Sequence, residues 1–301
     1  MIFTDVRNAE KKEYAWGGVV MEQDKYIGTV VDGRFSVINR ISQGGFYSTY
    51  LVQGVRPNII WLLKACDKTN KNYNSYIRGA LLQEAHMMVK LHHPAIPQVI
   101  DIIENNSSIF IVREYVEGET LEALYKNYGA QPAETVIEWG KQLCDVLRYL
   151  HNLTPPYLYR DMKPGNIILT SEGTLKLIDF GTVIPYDPRK DVDDQIIGTT
   201  GYAPPEQYGG HTTPQSDIFG LGMTLHQLVT GVDPKVSLWN AKPICQINSS
   251  LPKGLEYIIS KCTQYNLEDR YQNCDELMND LNNYRNLPRP RGIFGRWFGM
   301  K

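Results

Sequence analysis

The chain has 301 residues, 42% hydrophobic and 21% charged, with a formal net charge of −2. At ~150 residues per domain this length holds two domains or one large two-lobed unit, and it is enough to bury a core. The composition is that of a globular protein, and the near-neutral balance excludes a global electrostatic pull toward nucleic acid or membrane. The five cysteines, Cys66, Cys144, Cys245, Cys262 and Cys274, form no C-x-x-C pair. They read as free, mostly buried thiols of a reducing compartment. The first 25 residues lack the apolar core of a signal peptide, and no run of about 18 apolar residues occurs. The expectation is a cytoplasmic protein without a membrane span.

In chain order, residues 1–25 have weak periodicity and read as a peripheral extension. Alternation of β-formers then predicts a strand at 35–41, Gly44 and Gly45 read as a turn, and 47–53 and 59–66 read as two further strands. A helix is expected over 76–91, with Leu81, Leu82, Ala85, Met88 and Val89 on one face and His93-Pro94 ending it. Two more strands fit 99–103 and 109–114.

After Gly118 the period changes to that of helices. The clearest is 133–151, striped by Val136, Trp139, Leu143, Val146, Leu147 and Leu150. Short strands fit 167–169 and 175–178, and helices fit 217–229, 255–262 and 274–284. No repeat or low-complexity tract appears. The reading is an α+β chain of two lobes: a β-rich one with a single helix over about 26–115, and a helical one over about 116–286. A cleft between lobes is a common ligand site. Residues 287–301 form a basic and aromatic tail.

The chemistry concentrates in Tyr159-Arg160-Asp161-Met162-Lys163-Pro164-Gly165-Asn166 and, further on, Asp179-Phe180-Gly181. Two carboxylates, an amide and an ammonium on nearby loops can hold magnesium and manage a phosphoryl charge. These two segments, in this order and spacing, resemble the eukaryotic-type (Hanks-type) serine/threonine protein kinase family. The resemblance covers about 35–284, and Tyr-Arg-Asp-Met-Lys-Pro-Gly-Asn and Gly-Tyr-Ala-Pro-Pro-Glu-Gln-Tyr are worded most like bacterial members.

The resemblance implies a two-lobed kinase fold, ATP with Mg2+ (Mn2+ as the alternative), and protein substrates with Ser or Thr. Asp161 matches the catalytic base, and Lys163 the residue that steadies the γ-phosphate in serine/threonine-type members. Asn166 and Asp179 match the metal ligands, with Phe180 and Gly181 setting the loop. Lys64 matches the lysine of the α- and β-phosphates, and Glu84 its partner. The phosphate lid falls on Ile41-Ser42-Gln43-Gly44-Gly45-Phe46-Tyr47-Ser48-Thr49, where Gly44 is the middle glycine and Ser42 and Tyr47 replace the outer two. Glu114 and Val116 match the adenine-binding backbone of the hinge. Arg113 falls at the gatekeeper position, where it would stack beside adenine or compete for Glu84. Glu206 would pair with Arg270, Asp217 would open a helix and brace the catalytic loop, and Thr199 would bond near Asp161 and Lys163.

Tyr159 replaces the family's histidine, and its ring can fill that space. Between Thr182 and Thr199 the activation segment has no serine or threonine, leaving Tyr186 as its hydroxyl there, yet Arg160, the family's phosphate receiver, is present. Either a carboxylate among Asp187, Asp191, Asp193 and Asp194 supplies the counter-charge, so that loop phosphorylation is not required, or these are solvated loop charges. The tail, with Arg289, Arg291, Arg296 and Lys301 among Ile293, Phe294, Trp297 and Phe298, either docks on the kinase or contacts a membrane surface or partner. The expected activity is phosphoryl transfer to protein hydroxyls, with autophosphorylation. The alternatives are a pseudokinase scaffold and a small-molecule kinase on a related fold.

Overall fold

The computed structural model describes residues 24–190, 192–193, 195–236 and 239–287. Six strands build the first lobe: β1 (Val30–Val31), β2 (Phe35–Gln43), β3 (Tyr47–Gly54), β4 (Ile60–Asp67), β5 (Val99–Glu104) and β6 (Ser108–Glu114). They form one antiparallel sheet in the order β1-β2-β3-β4-β6-β5. Side chains alternate across such a sheet. One face buries Val37, Tyr50, Val52, Leu63, Ala65, Phe110 and Val112. The other presents Cys66, Ile109 and Ile111 to Ile77, Leu81 and Ala85 of α1 (Ser75–Met88).

Asn74 starts α1 by accepting the Ile77 amide at 3.0 Å, an N-cap bond. The helix ends at Met88, before the expected stop at His93-Pro94, and Val89 is exposed rather than on the apolar face. Met87 takes its place by turning toward the second lobe, where it packs with Leu91 and Ile96.

The second lobe opens with β7 (Glu119–Thr120) and α2 (Leu121–Tyr128), an element that periodicity does not predict. Then come α3 (Ala133–His151), β8 (Tyr157–Leu158), β9 (Ile167–Leu169), β10 (Leu175–Leu177) and β11 (Ile184–Pro185). The remaining helices are α4 (Pro205–Tyr208), α5 (Pro214–Thr230), α6 (Ile244–Ile247), α7 (Lys253–Cys262) and α8 (Cys274–Asn282). Every residue of α5 from Ser216 to Val229 is buried, as in a helix that runs through a core. It begins at Pro214, so Asp217 lies in its first turn rather than opening it. Cys245 is only half-buried, unlike the other four thiols, and all five are free.

The lobes meet at the end of β6. Gly118 lies at φ +155° against Leu169, where a Cβ would stand 2.3 Å from the Leu169 carbonyl oxygen. Only glycine fits such an approach. Among the described residues no helix is long and apolar enough to cross a membrane. The N-terminal extension up to residue 23 and the tail from residue 288 lie outside the described residues.

Candidate active site

Lys64 sits on β4 one residue before Cys66's neighbour Ala65, so the two-residue period puts Lys64 and Cys66 on the α1 side of the sheet. On α1, Glu84 lies three residues after Leu81 and four before Met88, on the face that looks back at the sheet. The two meet. Lys64 Nζ donates to Glu84 Oε2 at 2.7 Å and to Oε1 at 3.0 Å. Their side chains are 18% and 11% exposed, so this is a sheltered pair rather than a surface one. Tyr47 adds its ring, with the Lys64 ammonium 4.7 Å from the centroid. Burial, chiefly, pushes the Tyr47 phenol up to about 12, so it stays neutral there.

Residues 159–166 form the second part. A one-turn 3-10 helix, Pro164–Asn166, folds the segment back, and Asn166 Nδ2 donates to the Asp161 carbonyl at 3.0 Å and to Asp161 Oδ2 at 2.8 Å. Lys163 Nζ donates to Asp161 Oδ2 at 2.7 Å and to the Thr199 hydroxyl at 2.8 Å. Thr199 in turn donates to Asp161 Oδ1 at 2.6 Å. Both oxygens of Asp161 are thus held, and the carboxylate is oriented by three side chains. Asp161 is 8% exposed and Asn166 7%.

Asp179 lies on the loop after β10. It is exposed, and its Oδ1 accepts the Gly181 amide at 3.1 Å, while Phe180 behind it is buried. Phe180 packs edge-on against Tyr159, ring centroids 5.7 Å apart. Tyr159 fills the family histidine's space as a fully buried ring. Its hydroxyl has no hydrogen-bond partner of ordinary geometry among the described residues, although the Asp179 backbone lies close enough to act on it. Burial, first of all, raises its pKa far above the ordinary phenol value.

With Asn166 Nδ2 committed to Asp161, its amide oxygen is the remaining donor, and it carries no hydrogen bond among the described residues. The Asp179 carboxylate, one residue after Ile178, whose amide donates to the Asn166 carbonyl at 3.0 Å, adds a second hard-oxygen group. Among the described residues no cluster of three or more His, Cys, Asp or Glu side chains could hold a metal unaided. A divalent cation that takes one or two protein oxygens and completes its shell with substrate phosphates fits this donor set.

Arg113, on β6, makes no hydrogen bond or ion pair with Glu84 among the described residues, and Glu84 supports its charge only through space. Its Nη1 donates to the Ile178 carbonyl at 2.8 Å, immediately before Asp179. At the hinge, the Glu114 carboxylate accepts from Lys176 at 2.8 Å, tying the sheet to β10. No hydrogen bond reaches the Val116 backbone among the described residues. The lid is a hairpin whose turn is closed by the Gly44 amide to the Tyr47 carbonyl, 2.8 Å. Ser42 pairs with Thr49 and Gln43 with Ser48, and residues 41–46 are exposed toward solvent. Ile41, Ser42, Gln43, Gly44, Gly45 and Phe46 thus make the exposed end of the hairpin whose Thr49 pairs with Lys64 across β3 and β4.

Asp217 is buried under the catalytic loop and accepts the backbone amides of Tyr159 (2.8 Å) and Arg160 (2.7 Å). Arg160 is held at φ +68°, a strained value for a non-glycine residue. Gln207 braces it from the other side by donating to its carbonyl at 2.7 Å. The Arg160 guanidinium donates to the carbonyls of Thr182 (2.6 Å) and Gln195 (3.2 Å) of the activation segment. Of the four loop acids, Asp187 pairs with Arg189 and Asp193 accepts from Thr212, while Asp191 and Asp194 lie outside the described residues. Glu206 and Arg270 form a two-pronged pair at 2.6 and 3.0 Å, with the Arg270 side chain fully buried.

Three contributors lie outside the sequence reading. His151 reaches Asp217 Oδ2 at 2.8 Å, Gln207 holds Arg160, and Ser216 donates to Glu206 at 2.7 Å. The only sequence signal for any of them is Ser216 three residues after Thr213 at a helix start, the spacing of a capping box.

Residues 35–290 match the family model described as "Protein kinase domain". A probable serine/threonine-protein kinase of Clostridium perfringens is 30% identical, aligned over 87% of this chain and 40% of its own length. The probable serine/threonine-protein kinase PknB of Lactococcus lactis is 29% identical over 87% of this chain and 44% of its own length. The serine/threonine-protein kinase PrkC of Bacillus subtilis is 28% identical over 85% and 41%. The chain spans less than half the length of these curated relatives. With the matched family model covering most of its length, the chain belongs to the protein kinase domain family, in the company of bacterial serine/threonine kinases.

Proposed function

We propose that this chain is an active serine/threonine protein kinase that transfers the γ-phosphoryl group of Mg-ATP to protein hydroxyls, its own among them. The kinase unit is taken as residues 26–286, with 1–25 and 287–301 as flanking segments. The observation that carries the reading is the state of Asp161. Its carboxylate is fixed by Asn166, Lys163 and Thr199, while Lys64 and Glu84 are already paired between β4 and α1 of the first lobe.

In this reading Asp161 orients the acceptor hydroxyl and takes its proton; a positioned base contributes roughly 10² to 10⁴ in rate. Lys163 stays 2.7 Å from that carboxylate and holds the γ-phosphoryl oxygens beside the acceptor. Lys64, oriented by Glu84, binds the α- and β-phosphates under the lid. Adenine pairs with the backbone of Glu114 and Val116. Asn166 and Asp179 hold Mg2+, with Mn2+ as the alternative; when bound, the cation offsets phosphate charge. The free cysteines suit a reducing cytoplasm.

The test is transfer from labelled ATP to a generic basic protein, to the chain itself and to a panel of small alcohols, followed by identification of the labelled amino acid. Phosphoserine or phosphothreonine is expected, and Lys64→Met should abolish it. Label only on small alcohols would replace the reading by a small-molecule kinase. Nucleotide binding without any transfer would replace it by a scaffold.

A further inference from the structure

Arg113 is a cation inside the nucleotide cleft for which phosphoryl transfer itself has no use. It leaves β6 at a position paired with Leu62 of β4 and Val99 of β5, in the middle of the sheet. Arginine does not lose its charge in a protein, so the cost of sheltering this guanidinium must be met by partners. Among the described residues its guanidinium makes one hydrogen bond, 2.8 Å, to the carbonyl of Ile178. Glu84, on α1 of the same lobe, and Asp179, from the second lobe, are the carboxylates that act on it, and burial opposes its charge more strongly than either supports it.

The Ile178 peptide is held on its other side as well. The Ile178 amide donates to the Asn166 carbonyl at 3.0 Å, and the preceding Leu177 amide donates to Ala95 at 2.8 Å. The chain leading into Asp179 is thus clamped from two directions: by the loop that carries Asn166 and by the strand that leads into the hinge. The Ile178 carbonyl belongs to the peptide unit whose nitrogen is that of Asp179. Fixing its plane fixes where the Asp179 side chain starts. An apolar residue at position 113 could fill the same space but could not hold that carbonyl.

We propose that Arg113 is a positioning residue that tethers the peptide before Asp179 to the hinge strand and so presets Asp179 for the metal. The inference rests on the reading of Asp179 as a metal ligand. The tether operates before nucleotide arrives, because both its ends belong to the protein.

The experiment compares the wild-type full chain with Arg113→Met, Arg113→Lys and Asp179→Asn. It reads the free Mg2+ concentration at half-maximal transfer under saturating ATP, and the affinity for a fluorescent ATP analogue without metal. Arg113→Met should raise the half-saturating Mg2+ roughly tenfold, the size of one lost charge-assisted hydrogen bond. Metal-free nucleotide affinity should not change, and Arg113→Lys, which keeps a charged donor, should recover most of the loss. Should Arg113→Met fail to fold, Arg113→Leu serves in its place, with the same rescue. Wild-type Mg2+ dependence in the apolar variant would overturn the tether. So would a loss confined to metal-free nucleotide affinity, or a lysine variant no better than the apolar one. An unchanged Mg2+ dependence in Asp179→Asn would instead overturn the assignment of Asp179, and the inference with it.

Discussion

The ring of Tyr47 stands 4.7 Å from the ammonium of Lys64, at a lid position where the family pattern has glycine. Lys64 is held on one hand by two Glu84 oxygens and on the other by this aromatic face. A cation over a ring is worth about 0.5 to 2 kcal/mol as it becomes desolvated. Tyr47→Leu frees the ammonium, and the KM for ATP should rise roughly two- to tenfold, following that energy, with a smaller change in kcat. Steady-state kinetics at fixed Mg2+ decides; an unchanged KM would mean that Glu84 alone orients Lys64.

The Glu206–Arg270 pair is a stability element. Arg270 is fully buried, donates also to the carbonyls of Gln264 and Tyr265, and lies over the Phe219 ring at 4.9 Å. Arg270→Ala strands the Glu206 carboxylate and the carbonyls of Gln264, Tyr265 and Gln215, and should cost about 3 to 5 kcal/mol. Urea unfolding measures it. A loss under about 1 kcal/mol, the range of a surface pair, would contradict the account.

His151 makes stability depend on pH. Burial is the largest influence on it and favours the neutral ring, but the bonds and charges of Asp217 and Cys274 outweigh burial and raise its pKa from 6.5 to about 10. A folded-state value above the unfolded one means that the protonated form is bound by the fold. The stabilisation is therefore present in full below about pH 6.5, declines above it, and is gone once the pH has passed about 10. Wild type should be more stable than His151→Gln near pH 6, and the gap should close toward pH 10. A gap that widens with pH would reverse the assignment.

Loop phosphorylation should be dispensable. The Arg160 guanidinium is already engaged by the Thr182 and Gln195 carbonyls, and the segment between Thr182 and Thr199 carries no serine or threonine to modify. Phosphatase-treated protein should transfer phosphate at the untreated rate. Loss of activity, with the missing phosphate mapped to Tyr186, would contradict this.

Periodicity made the frame of this protein legible, and did so most clearly where one face is buried. The stripe from Val136 to Leu150 gives α3 its bounds, and alternating burial in β3 beside the β-rich apolar runs of β4 and β6 gives the sheet. Those two periods also bring Lys64 and Glu84 to one side. α2 escaped because among its eight residues only Leu121 is buried, too little to make a stripe. α1 was read too long because Val89 continues the apolar pattern after the helix has ended. Within the site, residue types and spacing marked Asp161, Asn166 and Asp179 but not what holds them. Arg113 meets Ile178 across 65 positions, His151 meets Asp217 across 66, and Gln207 meets Arg160 across 47. Such contacts are products of the packed fold and leave no local pattern.

The measurement that bears most directly on the whole account is phosphoryl transfer by Asp161→Asn beside wild type, with nucleotide affinity read on the same samples. The substitution keeps the side chain's size and one acceptor oxygen while removing the charged base. Transfer should fall by about a hundredfold or more with nucleotide affinity retained. Undiminished transfer by the variant would show that Asp161, for all its three side-chain partners, is not the residue on which the reaction turns.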